Sequence, residues 1–112
     1  MDRIYDIDDY LLETEKTAIY PQASSRSTGE VTYLALGLVG ESGEVAEKVK
    51  KLIRDGNLDQ ELFKKELGDV FWYLVRLCQW AGVHPSEVLT SNIIKLKDRQ
   101  NRNKLHGSGD TR

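Results

Sequence analysis

Two short acidic words, Glu41-Ser42-Gly43-Glu44 and Glu66-Leu67-Gly68-Asp69, carry the most chemistry in this sequence. Each sets two carboxylates three residues apart, a spacing that leaves both on one side of a helix. If the two pairs meet, their charges repel: two like charges about 4 Å apart at an effective dielectric of 20 cost roughly 4 kcal/mol. Such a set must take up protons or share cations, and all-oxygen donors suit hard divalent ions such as magnesium or manganese. The plainer alternative is a pair of solvated acidic faces. Lys48 follows Glu44 by four residues and Lys65 neighbours Glu66, so local ion pairs are available.

The choice between these readings depends on the elements that carry the acids. Hydrophobic periodicity predicts four helices and no strand, an all-α chain. The first helix runs from about Asp6 to Tyr20 and is stopped by Pro21, and the Ser-rich stretch 22–28 reads as a loop. Ser27 and Glu30 have the spacing of a capping box and open the second helix, which continues to about Arg54 and ends at Asp55-Gly56-Asn57. Asp59 is the expected N-cap of the third helix, which runs to about Ala81 and ends at Gly82. Pro85 opens a fourth helix that extends to about Asn103. The short link between the second and third helices predicts an antiparallel hairpin within a four-helix-type bundle.

On that hairpin the acids stand where apolar residues would be expected. The second helix has a stripe of Val31, Leu34, Leu38, Val45, Val49 and Leu52, with Glu41 inside it and Glu44 on its edge. On the third helix Glu66 and Asp69 project from the face defined by Leu62, Val70, Tyr73, Leu77 and Trp80. At about 1.5 Å per residue from the turn, Glu44 lies roughly 15 Å up one helix, with Glu66 and Asp69 roughly 9 and 13 Å up the other. Both pairs are thus expected at nearly one level. Gly37, Gly40 and Gly43 lie inside the second helix at about 1 kcal/mol each relative to alanine. They fit either a close approach to the backbone or a locally weak helix.

Composition narrows the class further. The chain has 112 residues, 39% hydrophobic and 30% charged, as expected of one globular domain over 1–112, with a tail from about 104 that is mobile or ordered by a ligand. A net charge of −2 gives no global attraction to nucleic-acid polymers or anionic membranes. The single cysteine, Cys78, has no partner in the chain and reads as packing, which points to a reducing compartment. With no signal segment at the N-terminus and no apolar run near membrane-spanning length, the expected location is cytoplasmic. His84 reads as a loop or capping residue. Neither His84 nor His106 has the spacing of a Glu-x-x-His di-iron site. Trp72 and Trp80 read as core.

The acidic words and their surroundings resemble the MazG-like all-α nucleoside triphosphate pyrophosphohydrolases. The resemblance rests on Leu36-Gly37-Leu38-Val39-Gly40-Glu41-Ser42-Gly43-Glu44-Val45, then Glu66-Leu67-Gly68-Asp69-Val70-Phe71-Trp72-Tyr73 after a spacer of 21 residues. It continues in Asn92-Ile93-Ile94-Lys95-Leu96 with Arg99, and in Gly107-Ser108-Gly109-Asp110. It implies hydrolysis of a nucleoside triphosphate at the α-phosphorus to monophosphate and pyrophosphate. It also implies magnesium (or manganese) on Glu41, Glu44, Glu66 and Asp69, with Glu44 as the general base toward water.

Substrate contacts are less specific in the residues themselves. Asn92, Lys95, Arg99 and Arg102 share one face of the fourth helix and read first as a solvated basic strip. The resemblance turns Asn92 and Lys95, with Arg99, toward phosphate oxygens. Lys51 is a further phosphate candidate, and Tyr73, one turn beyond Asp69, could stack on or border the base. The third helix is apolar nearly all round from Val70 to Ala81, with Phe71, Trp72, Val75 and Cys78 off the acidic face. A homodimer or dimer of dimers is therefore expected. Two alternatives remain open: a related enzyme acting on phosphoribosyl-ATP, and a non-catalytic helical dimerisation or regulatory module whose acids bind structural cations.

Overall fold

The computed structural model describes residues 2–103 and 107–110, and among them only helices, turns and loops occur. Helix α1 spans Ile7–Thr14 and passes into a 3₁₀ turn, Glu15–Thr17. It is followed by α2, Thr28–Asp55, α3, Gln60–Ala81, and α4, Pro85–Asn101. The all-α class expected from periodicity is the class observed.

Most helix ends fall where the cap chemistry places them. The Asp6 carboxylate accepts from the Asp8 N–H at 2.8 Å, and that of Asp59 accepts from the N–H groups of Glu61 and Leu62. Gly56 and Gly82 close α2 and α3 with φ of 82° and 75°, the left-handed conformation that glycine adopts without a Cβ penalty. His84 is the N-cap of α4, where the Glu87 carboxylate accepts from its backbone N–H at 3.0 Å.

Two expectations change. Helix α1 was expected to reach Tyr20 but gives way after Thr14, because Tyr20 is drawn out of the helical path into the core. There its hydroxyl donates to Glu30 at 2.6 Å. The capping box at Ser27 forms only by half. Ser27 Oγ accepts from the Glu30 N–H at 3.1 Å, but the Glu30 carboxylate turns to the preceding loop and accepts from the N–H groups of Ser24 and Arg26. That loop needs a strong anchor, since Gln22, Ser24 and Arg26 all have φ near +60° without being glycine.

Glu30 belongs to a buried polar knot at the junction of α1, α2 and α3. Arg76 is 1% exposed, donates to Thr14 Oγ1 at 3.4 Å, and leaves its Nε without a hydrogen-bond partner. Burial works to raise the Glu30 pKa. Hydrogen bonds from Tyr20, Ser24 and Arg26 and the nearby Arg76 charge outweigh it, so the carboxyl titrates below its ordinary value. Among the described residues Leu11, Tyr20, Leu34, Val75 and Pro85 are the buried apolar side chains.

Helices α2 and α3 form the antiparallel hairpin. Trp80 Nε1 donates to the Ser27 carbonyl at 2.8 Å near one end of the hairpin, and Lys48 pairs with Glu66 nearer the turn. Helix α1 crosses α3, with Tyr10 reaching the Gly68 carbonyl and Trp72 Nε1 donating to Thr17 Oγ1. Helix α4 has its main packing partner in α1, where the Asp8 carboxylate accepts from the N–H and Oγ of Ser86 at 3.0 and 2.6 Å. His106 and much of the tail expected from about 104 lie outside the described residues. Within it, Asp110 is tied back to Lys95 and Arg99.

Replacing Glu30 with alanine removes three hydrogen bonds and the charge beside buried Arg76. Urea unfolding should show a loss of about 3 kcal/mol for Glu30→Ala, and a smaller one for Glu30→Gln, which keeps part of the network.

Candidate metal centre

Hairpin register decides which acids meet. Glu41 of α2 faces Glu66 and Asp69 of α3, and one carboxylate oxygen from each lies within 4.8 Å of the others. Three hard oxygen donors in that space fit a small divalent cation. Glu44 stays outside the group and is exposed, although its charge still reaches Glu41. Three residues beyond Glu41, it sits round the helix at the edge of the trough. The four acids expected to act together are therefore three converging donors and one neighbour.

The repulsion expected from their spacing is visible in Glu41. Burial first, then the charges of Asp69 and Glu66, raise its pKa above the ordinary glutamate value. One ammonium answers this charge: Lys48 Nζ lies 3.9 Å from Glu66 Oε1, and both side chains are 19% exposed. The ion pair weighed in the sequence, Lys48 with Glu44 along the helix, gives way to one across the hairpin. Seven residues bring Lys48 back onto the face of Glu41, two turns on.

Aromatic side chains close one end of the trough. A methyl group at Gly37 would overlap the Tyr73 ring, so the first of the three helix glycines is required by close packing. Gly40 and Gly43 meet nothing within 4 Å. Burial first, then the neighbouring Tyr33 hydroxyl, with further contributions from Glu41 and Asp69, raise the Tyr73 pKa. Tyr73 thus lies where its position after Asp69 predicts. Trp72 stands edge-on to it, with centroids 5.1 Å apart, and Tyr20 stacks on Tyr33 at 5.2 Å.

The basic candidates lie elsewhere. Lys95 Nζ and the Arg99 guanidinium donate to the Asp110 carboxylate at 3.0 and 3.1 Å, and Arg99 also donates to the Asp110 carbonyl at 2.8 Å. These bonds hold the Asp110 carboxyl below its ordinary range. Arg99 is buried, unlike the exposed strip residue expected. Asn92 and Lys95 line an open groove of about 400 Å³ with Val83, Glu87, Val88 and Ser91, and none of the four acids borders it. Lys51 is exposed and lies near Glu47 and Asp55, on another face of α2 from Glu41. Cys78 is a free, partly buried thiol whose pKa is raised by burial, consistent with packing.

Two residues at the trough had not been singled out for the site. Lys48 was legible from its seven-residue spacing to Glu41. Tyr10 was not: its hydroxyl reaches the Gly68 carbonyl at 3.4 Å, and burial first, then Asp69, raise its pKa. Only the crossing of α1 over α3 brings it there.

The pattern described as the MazG nucleotide pyrophosphohydrolase domain matches residues 30–103, which include both acidic pairs, Lys48, Tyr73 and all of α4. The chain belongs to that family. It is also 43% identical over 112 residues to the "Gene 37 protein" of Mycobacterium phage L5, covering 95% of this chain and 98% of that protein. No solved structure matches the chain significantly.

The raised Glu41 pKa makes a pH-dependent contribution to stability. An acid whose folded pKa lies above its unfolded value stabilises fully below the unfolded pKa and loses that contribution as pH rises through the folded one. In the presence of a chelator, Glu41→Gln should therefore match the parent at low pH and become the more stable chain as pH rises past the ordinary glutamate range. Melting scans of both chains across pH check this, and an advantage independent of pH would contradict it.

Proposed function

We propose that the chain hydrolyses a nucleoside triphosphate to its monophosphate and pyrophosphate with magnesium, or with manganese in its place. The convergence of Glu41, Glu66 and Asp69 on one small space, in a chain of this family, is the observation that carries the reading. These three would hold the divalent cation, which when bound offsets triphosphate charge and makes a coordinated water more acidic.

The chain's own residues supply the rest. Glu44, exposed at the edge of the trough, accepts the proton of the attacking water. The water oxygen bonds to the α-phosphorus while the bond to the bridging oxygen breaks, and that oxygen leaves with the pyrophosphate. Tyr73 borders the base from the wall of the trough. Asn92, Lys95 and Arg99 are the proposed contacts to phosphate, and the last two can serve only as Asp110 gives way. The reaction places the protein in the cytoplasm, where nucleotides are found; no helix among the described residues is long and apolar enough to cross a membrane.

A second copy of the chain completes the assembly in this reading. Few apolar side chains are buried among the described residues, while Leu36 and Val39 of α2 are 69% and 70% exposed and Ile94 of α4 is 63% exposed. Gly40 and Gly43 open the α2 backbone beside Leu36 and Val39, so a partner helix can approach closely. The radius of gyration is 16.6 Å, against roughly 13 Å for a compact domain of about this length. Light scattering at micromolar concentration should report a dimer or a dimer of dimers; a folded monomer would refute this assembly.

Pyrophosphate release, measured over a panel of ribo- and deoxynucleoside triphosphates and phosphoribosyl-ATP with magnesium, tests the activity itself. Glu41→Gln, Glu66→Gln and Asp69→Asn should nearly abolish turnover with the fold intact. Glu44→Gln should stay inactive even in saturating magnesium. Recovery there would make Glu44 a cation ligand and not the base, and no release from any of these nucleotides would overturn the reading.

A further inference from the structure

Lys48 is an unusual cation in this trough. Among the described residues it is the only basic group within 4.0 Å of any of the four acids. An ordinary surface lysine at this position would pair with Glu44 one turn back, in the favoured Glu-to-Lys order along a helix. Lys48 instead turns across the hairpin and is mostly buried. Yet at 3.9 Å from Glu66 it makes a loose ion pair, and its three donors have no hydrogen-bond partner among the described residues. An ammonium withdrawn this far from water is held by the net negative charge of the trough and committed to no single acceptor.

Resting on the pyrophosphohydrolase reading above, we propose that Lys48 is the site's own counter-cation and a direct ligand of a nucleotide phosphate. In the metal-free protein it offsets part of the mutual repulsion of Glu41, Glu66 and Asp69. Once a divalent cation neutralises these acids, Glu66 no longer needs the ammonium. The flexible stem then lets it turn to a phosphate oxygen brought to the same trough, where it forms a shorter, charge-assisted hydrogen bond. Lys48 thus serves the site in both states, first in place of part of the missing cation charge and then for the substrate. Lys95 and Arg99 have Asp110 as their anion and do not offset the charge of the trough.

Lys48→Met keeps the apolar stem and removes the charge; Lys48→Arg keeps the charge. Melting is followed in chelator and in saturating magnesium, and binding of inorganic tripolyphosphate with magnesium is followed by calorimetry. The melting deficit of Lys48→Met should be present in chelator and largely vanish with magnesium, because the cation then does the work of the ammonium. A purely structural Lys48–Glu66 bridge would leave the deficit in both conditions and overturn the counter-cation role. Tripolyphosphate affinity should fall on the order of tenfold in Lys48→Met, with Lys48→Arg recovering much of it. Equal affinity in parent and Lys48→Met would overturn the phosphate contact while leaving the pyrophosphohydrolase reading in place. A parent that neither binds tripolyphosphate nor releases pyrophosphate from any nucleotide would remove both.

Discussion

Electrostatic repulsion among Glu41, Glu66 and Asp69 is the constraint around which the other features of the molecule are arranged. Three carboxylates within a few ångströms oppose the fold that brings them together, and burial together with the charges of Asp69 and Glu66 raises the Glu41 pKa. Their positions must therefore be imposed by interactions elsewhere. The antiparallel hairpin imposes them through long helices with well-made ends. Trp80 is fastened to Ser27 at one end, and Gly56 closes α2 at the other.

Stiffness near the site comes from packing and from a buried polar network. Tyr73 occupies the space left by the absent side chain of Gly37, so the hairpin cannot slide by a turn without forcing this ring out. Behind it, Tyr20, Glu30, Thr14 and Arg76 join the first three helices. Buried charges of this kind add little net stability, but removing one partner leaves the other uncompensated. The pairing of Glu30 with the N–H groups of Ser24 and Arg26 also holds two non-glycine residues of that loop in left-handed backbone.

Charge balance is managed locally, one group at a time. Lys48 serves the acidic trough, and Asp110 serves Lys95 and Arg99. Each counterion comes from the chain itself. Helix α4 stands mainly on α1, so its basic face and the acidic trough belong to different parts of one protomer. Leu36 and Val39 of α2 and Ile94 of α4 leave apolar surface uncovered.

The sequence by itself determined what depends on local spacing. Helix ends at Asp59, Gly56, Gly82 and Pro85 follow from caps and backbone preference, and the Glu-x-x-Glu and Glu-x-x-Asp pairs follow from the helical period. The short link between α2 and α3 was enough to anticipate that the pairs would face each other. Even Lys48 was readable, since seven residues return it to the face of Glu41. Tertiary structure alone decided the rest. Helical spacing had set Glu44 at the edge of the stripe, but whether an edge carboxylate joins the group depends on how the facing helix packs, and here it stays outside. Tyr20 left its helix because a buried hydrogen bond to Glu30 outweighed another turn of helix. Tyr10 came to Gly68, and Asp110 to Arg99, through contacts between segments far apart in the chain or doubled back on it. Local sequence sets the directions of side chains about each helix axis; only the packing of the helices sets which of them meet.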